Sequence, residues 1–156
     1  YTYLTTPIGT LKIIGTNTQV ENIIFYKDPL GDSIDLYQKN AFPYPILEQI
    51  NEYFSGRRYS FDLTISTTGS PFQRKVWSTL KTIPYGKTAS YTDIALKIGR
   101  LKAVRSVATA IGKNPLPIII PCHRVVGKNG TLNGYSGGLE IKQFLLNHEK
   151  NKSKRC

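Results

Sequence analysis

Tyr91-Thr92-Asp93-Ile94-Ala95-Leu96-Lys97-Ile98-Gly99-Arg100-Leu101-Lys102-Ala103-Val104-Arg105-Ser106-Val107-Ala108-Thr109-Ala110-Ile111-Gly112-Lys113 is the most informative stretch of the chain. Ile94, Ala95 and Ile98 recur at helical spacing, which predicts a helix over 91–98. Gly99 and Arg100 supply a tight turn. Ala103, Val104, Val107, Ala110 and Ile111 then predict a second helix over 102–113. Two short helices joined at a glycine form a helix-turn-helix pattern. The outer face of the second helix carries Arg105, Ser106, Thr109 and Lys113, with Ala108 nearby. Small side chains let a helix backbone approach a nucleic acid, and Lys and Arg neutralise phosphates. The same face also suits an ordinary surface helix with solvated charges, and spacing alone does not choose.

Upstream, Ser70 is a good N-cap and Pro71 suits the first helical position. Phe72, Val76, Trp77 and Leu80 share one face, and Pro84-Tyr85-Gly86 ends that helix. The polar connector 67–70 marks a lobe boundary. Before it, residues 10–16 and 19–26 are β-rich runs joined through Asn17, a hairpin signal. Ile46, Leu47, Ile50, Tyr53 and Phe54 predict a helix over 43–54, with Gly56 as its stop. Residues 59–65 offer a further strand. The fold class expected is α+β in two lobes. Residues 1–67 form a β-rich N-terminal lobe. Residues 68–150 form a mainly helical, winged-helix-like lobe, and residues 151–156 are a basic tail expected to be disordered.

The chain has 156 residues, of which 40% are hydrophobic and 20% charged, so a packed core is expected and global disorder is not. The net charge is +11. That excess points to a polyanionic partner, nucleic acid before an anionic membrane. Residues 1–67 hold five basic and seven acidic side chains, a net of −2. Residues 68–156 hold the other 16 basic residues against Asp93, Glu140 and Glu149, a net of +13. The basic character therefore belongs to the second lobe, and without Lys150, Lys152, Lys154 and Arg155 it is still +9. No stretch approaches the ~20 apolar residues of a membrane span. No secretory signal opens the chain. It contains no Met and begins at Tyr1, so the native start is expected upstream. Two cysteines, Cys122 and Cys156, rule out a disulfide framework and a cysteine-rich zinc site.

The chemistry concentrates in Pro115-Leu116-Pro117-Ile118-Ile119-Ile120-Pro121-Cys122-His123-Arg124-Val125-Val126. A lone cysteine after an apolar run is usually a small buried hydrophobe. Cys122, however, ends the run where a buried segment meets a polar turn. His123 and Arg124 beside it can take a thiol proton or stabilise a thiolate, and Glu149 downstream can orient an imidazole. A thiol with a pKa of ~8.5 is only a few per cent thiolate at neutral pH, so an adjacent base matters.

Pro121-Cys122-His123-Arg124-Val125-Val126 resembles the active-site motif of the O6-alkylguanine-DNA alkyltransferases, the methylated-DNA–protein-cysteine methyltransferases. The likeness extends through Pro71-Phe72-Gln73, Val76-Trp77, Ile83-Pro84-Tyr85-Gly86-Lys87-Thr88 and Ser90-Tyr91. It continues in Val104-Arg105-Ser106-Val107-Ala108-Thr109-Ala110, Asn114-Pro115, Gly134-Tyr135-Ser136-Gly137-Gly138, Lys142, Leu145-Leu146 and Glu149. It covers about residues 70–150 in order and spacing. Ala108 stands where the family usually has glycine, Ser106 where alanine is common, and Asn133 where glycine is frequent. None of these touches the nucleophile or its base.

The resemblance implies a DNA repair protein that flips O6-alkylguanine out of duplex DNA and moves the alkyl group irreversibly to Cys122. It implies His123 as the base acting through a water, Glu149 as the group that polarises it, and Tyr91 as proton donor to guanine N3. Asn114 would brace the turn before the active-site segment. The carbonyls of Cys122 and Val125 would select guanine, the Ser136 N–H would bond O6, and Tyr135 and Pro117, with Ile111, would line the substrate pocket. Arg105 would fill the vacated stack from a helix lying in the minor groove. Ser106, Ala108, Thr109, Lys113, Ser90, Tyr91 and Arg124 complete the implied DNA contacts. It makes 68–150 the DNA-binding and alkyltransferase domain and 1–67 its support. The implied partner is double-stranded DNA bearing O6-alkylguanine, with O4-alkylthymine as a further candidate. No cofactor, metal or membrane is implied, and a monomer is expected. The location implied is cytoplasmic, nucleoid-associated in a prokaryote and nuclear in a eukaryote. Two other readings compete: a cysteine hydrolase, which would turn over, and a non-catalytic DNA binder, against which Cys122 argues.

Overall fold

Apolar side chains between Leu11 and Ile23 bury part of a small sheet. In the computed structural model, which describes residues 2–16, 18–26, 44–127, 130, 132, 135 and 137–153, three strands run antiparallel in sequence order. They are β1 (Thr2–Thr6), β2 (Gly9–Gly15) and β3 (Val20–Tyr26). Leu11 faces Phe25 and Ile13 faces Ile23; Leu11 and Ile13 are buried in the period-two pattern of a half-buried sheet, while the buried residues of the third strand, Val20 and Ile23, lie three apart across a register shift at Ile14 and Gly15. The hairpin between β2 and β3 matches the reading of the sequence, whereas β1 was not foreseen. Gly15 is required where β2 ends, because a Cβ there would lie 2.4 Å from the Gln19 carbonyl.

Helix α1 (Tyr44–Phe54) buries Ile46, Ile50 and Tyr53, one stripe of the helix. Pro43, the expected first residue, lies outside the described residues. Residues 59–65 do not form the strand expected of them. The Gln49 side chain takes both backbone groups of Asp62, donating to its carbonyl and accepting from its N–H at 2.9 Å each. Among the described residues only the end of the segment pairs, where Ile65 bridges Val20 in parallel.

The chain divides into two compact units, Tyr1–Thr67 and Thr68–Cys156. The second begins with α2 (Pro71–Leu80), closed by a capping box in which the Ser70 side chain accepts from the Gln73 N–H and Gln73 Oε1 accepts from the Ser70 N–H. Val76, Trp77 and Leu80 are buried, and the Trp77 indole donates to the Ala110 carbonyl at 2.8 Å. A two-residue strand, β4 (Ala89–Ser90), leads into α3 (Tyr91–Lys97), capped in the same way by Ser90 and Asp93. A positive φ at Gly99 turns the chain. The next helix was expected from Lys102. Leu101–Ala103 is instead a 3₁₀ turn, and α4 begins at Val104 and ends at Gly112. No side chain among the described residues caps its start, and a tighter turn carries the chain into it. β5 (Val125–Val126) pairs parallel with β4. The last helix, α5 (Leu139–Ser153), continues three residues past the boundary expected for the tail. Residues 154–156 lie outside the described residues. The architecture is α+β.

Candidate active site

The segment before Cys122 is folded onto itself by one asparagine. Asn114 Nδ2 donates to the Ile120 carbonyl at 2.8 Å, and its Oδ1 accepts from the Leu116 N–H at 2.9 Å. The Ile120 N–H returns to the Leu116 carbonyl at 2.8 Å. This closure holds Ile118, a buried β-branched residue, at φ +77. Such a conformation costs on the order of 1–3 kcal/mol and persists only where the surroundings over-determine it. Pro121, at φ −79 and ψ 65, is the centre of an inverse γ-turn, with the Cys122 N–H donating to the Ile120 carbonyl at 2.7 Å. The Ile120 carbonyl thus joins Asn114 to the backbone of Cys122.

Cys122, His123 and Arg124 form one 3₁₀ turn and all three are buried. His123 Nε2 lies 2.7 Å from Glu149 Oε2, across to α5. Arg124 grips the same carboxylate, Nε on Oε1 at 2.8 Å and Nη2 on Oε2 at 3.0 Å. Its Nη1 donates to the Ile83 carbonyl at 2.7 Å, and the guanidinium lies 5.7 Å from the centre of the Tyr85 ring. Arg124 was expected among the DNA contacts. Its guanidinium is instead committed inside the protein, because a buried Glu149 must be neutralised.

Burial pushes the Cys122 thiol up to about 11, although the Asn114 hydrogen bond and the Lys142 charge pull it back. The resting sulfur is therefore protonated at neutral pH and needs a base. Burial lowers the basicity of His123 against the pull of Glu149, so the imidazole is neutral. Burial alone would raise Glu149, but the hydrogen bonds and charges of His123 and Arg124 hold it far below the usual carboxylate range. An ionised Glu149 makes Nε2 the protonated nitrogen of the ring. Nδ1, buried and without a hydrogen-bond partner among the described residues, carries the open lone pair.

Tyr91 is the first residue of α3, half-buried, and burial together with the Cys122 charge keeps its phenol protonated well into alkaline pH. Burial does the same for Tyr135, with Cys122 and Glu149 adding to it. Ile111, Pro117 and Val125 are buried. Ser136 lies outside the described residues, as does Asn133. Lys142 was not singled out as a site residue. It is buried on α5, in one stripe with Leu145 and Glu149, and its charge acts on Cys122. The i, i+3, i+7 spacing of Lys142, Leu145 and Glu149 was the signal available.

On α4 the structure separates two faces. Val107, Ala110 and Ile111 are buried, whereas Arg105, Ser106, Thr109 and Lys113 are exposed and Ala108 is partly so. Thr109 turns its hydroxyl back to the Arg105 carbonyl at 3.1 Å, which keeps that face low. Ser90 spends its hydroxyl on the cap of α3. Among the described residues no group of three or more His, Cys, Asp and Glu could hold a metal ion, and no helix is long and apolar enough to cross a membrane.

Residues 71–151 match the family model of the 6-O-methylguanine DNA methyltransferase DNA-binding domain. The chain is 41% identical over 153 residues to the methylated-DNA–protein-cysteine methyltransferase of Methanosarcina barkeri, covering 97% of each. It is 44% identical over 156 residues to the constitutive methylated-DNA–protein-cysteine methyltransferase of Bacillus subtilis, covering 96% of this chain and 94% of that one. The crystal structure of Mycobacterium tuberculosis OGT in complex with DNA superposes with a TM-score of 0.85 at 38% identity, covering 96% of this chain and 92% of that one. Family model, near full-length identity and fold agree, and this chain belongs to the O6-methylguanine DNA methyltransferase family.

Proposed function

We propose that this protein repairs O6-alkylguanine in double-stranded DNA by transferring the alkyl group to Sγ of its own Cys122, once per molecule. The observation that carries the reading is the single buried turn on which Cys122 stands beside His123, with His123 Nε2 at 2.7 Å from an ionised Glu149. The thiol proton passes to His123 Nδ1, through a water. Sulfur attacks the alkyl carbon as the bond from that carbon to guanine O6 breaks, and the electron pair goes to O6. Tyr91 gives its phenolic proton to N3, so the departing base is neutral. The proton that His123 took then restores the Tyr91 phenol, so the net transfer moves the alkyl group to sulfur and one proton to guanine. No group in the site can reverse the thioether, so the reaction stops at one equivalent.

A target base stacked in a duplex must be extruded first. The exposed, small-residue face of α4 suits the minor groove, with Arg105 filling the vacancy and Ser106, Thr109 and Lys113 nearby. Val125, Pro117, Ile111, Tyr135 and Ser136 are assigned to the pocket. Residues 68–150 carry binding and chemistry and 1–67 support them. The protein acts as a monomer, without a cofactor, where the DNA is: the cytoplasm of a prokaryote or the nucleus of a eukaryote. Intact mass after exposure to an O6-methylguanine oligonucleotide tests the reading. The expected result is one stoichiometric gain of roughly 14 Da, absent in Cys122→Ala. Repeated turnover, or an undiminished gain in Cys122→Ala, would overturn it.

A further inference from the structure

We propose that Arg124 is a positioning residue for alkyl transfer: it neutralises Glu149 and fixes its two oxygens, so that His123 rests uncharged with Nδ1 open to accept the thiol proton. The inference rests on the reading that His123 is the base for Cys122. Its own basis is geometric. Arg124 occupies the same turn as the nucleophile and the base and places two nitrogens on the two oxygens of Glu149 at 2.8 and 3.0 Å. Glu149 Oε2 is shared between Arg124 Nη2 and His123 Nε2, so the fork sets which oxygen meets the imidazole. Nη1 on the Ile83 carbonyl stops the fork from rotating away.

Arg124 and Glu149 cancel, which leaves the imidazole beside a neutral pair. Among the described residues Lys142 on α5 also acts on the imidazole, and the thiol acts on Tyr91 and Tyr135. Without the guanidinium, the buried carboxylate would lose the two hydrogen bonds and the positive charge that Arg124 gives it, and would draw a proton into the site. If the imidazole took it, both ring nitrogens would be protonated. If the carboxyl took it, its O–H would donate to Nε2 and the ring's own proton would move to Nδ1. Either way Nδ1 would cease to be an acceptor at neutral pH.

The test is the pH dependence of Cys122 alkylation by free O6-benzylguanine, followed by intact mass, so that DNA contacts play no part. Arg124→Gln should move the midpoint of the rate profile upward by about 1–3 pH units, with a loss near pH 7 of about tenfold per unit that is regained at alkaline pH. Arg124→Lys keeps the charge and should keep the midpoint while lowering the plateau, since the fork is lost. The double variant Arg124→Gln with Glu149→Gln removes both charges and should return the midpoint to its wild-type place at a reduced plateau. Should Arg124→Gln alone fail to fold, Arg124→Lys and the double variant decide, because a displaced midpoint in either overturns the proposal. An unmoved midpoint in a folded Arg124→Gln overturns it as well. The underlying reading fails separately: His123→Gln would then keep the wild-type profile and rate, whereas with His123 as base it should flatten the profile and slow the reaction at neutral pH.

Discussion

The Ile120 carbonyl accepts twice, from Asn114 Nδ2 at 2.8 Å and from the Cys122 N–H at 2.7 Å. One side chain therefore sets both the curve of the apolar segment and the aim of the thiol. Asn114→Ala deletes two backbone clamps and leaves the Leu116 N–H without its acceptor. The expected cost is about 1–3 kcal/mol of stability, read by urea unfolding. Alkylation by free O6-benzylguanine should slow at neutral pH, because the thiol also loses a bond that lowers it. A variant of native stability and rate would mean that Asn114 shapes neither the segment nor the thiol. Arg105 is exposed on α4, on the face opposite the buried Val107, Ala110 and Ile111. Arg105→Ala should slow repair in duplex DNA by an effect of about 1–3 kcal/mol, the scale of unstacking, and leave the free-base reaction near wild type. Tyr91→Phe should slow both. Equal slowing by Arg105→Ala in duplex and free base would place Arg105 in the pocket or the fold instead. At this scale the sequence disclosed residue types and order, not commitments. Arg124 looks the same in sequence whether it faces a phosphate or a buried carboxylate, and only the position of Glu149 tells them apart.

Helices whose ends are sealed by local hydrogen bonds were the most legible elements. Ser70 with Gln73 and Ser90 with Asp93 each satisfy two backbone donors within four residues, so the signal is complete in the sequence. The two caps make a matched experiment. Ser70→Ala and Ser90→Ala should each cost about 1 kcal/mol of stability in thermal or urea unfolding. Ser90→Ala should also slow reaction with free O6-benzylguanine, since Tyr91 begins the helix that Ser90 caps, whereas Ser70→Ala should not. Equal rates in the two variants would mean that the start of α3 does not position Tyr91. Other elements were hidden for physical reasons. Residues 59–65 have strand-like composition, but the Gln49 side chain takes the hydrogen bonds a neighbouring strand would have made. β1 consists largely of Thr and Tyr and shows little alternation of its own; its partner β2 supplies the apolar positions. The inner stripe of α5 contains Lys142 and Glu149, so the element that completes the site lacks the apolar periodicity by which helices are read.

Charge is a property of the whole molecule, and its division was visible from composition: −2 over residues 1–67 and +13 over residues 68–156. The structure adds which of those charges are free to meet a polyanion. Arg124 is spent on Glu149 and Lys142 is buried near Cys122, whereas Arg105 on α4 and Lys113 at its C-cap lie exposed. Counterion release converts each neutralised phosphate into a slope of about −0.9 in log K against log salt. Binding to an undamaged duplex should therefore weaken steeply with salt, with a slope of several units. If the exposed face of α4 meets the DNA, replacing Arg105 and Lys113 together with Ser should reduce the slope by about two, one per charge. Replacing Lys152, Lys154 and Arg155 with Ser removes three charges from the end of the chain and should change the slope less, although it alters the net charge more. Fluorescence anisotropy titrations over a series of salt concentrations distinguish the two sets. A larger change from the terminal triple than from the α4 pair would mean that affinity follows net charge rather than a defined face. A flat dependence in the unmodified protein would mean that the excess of +13 is not a DNA footprint at all.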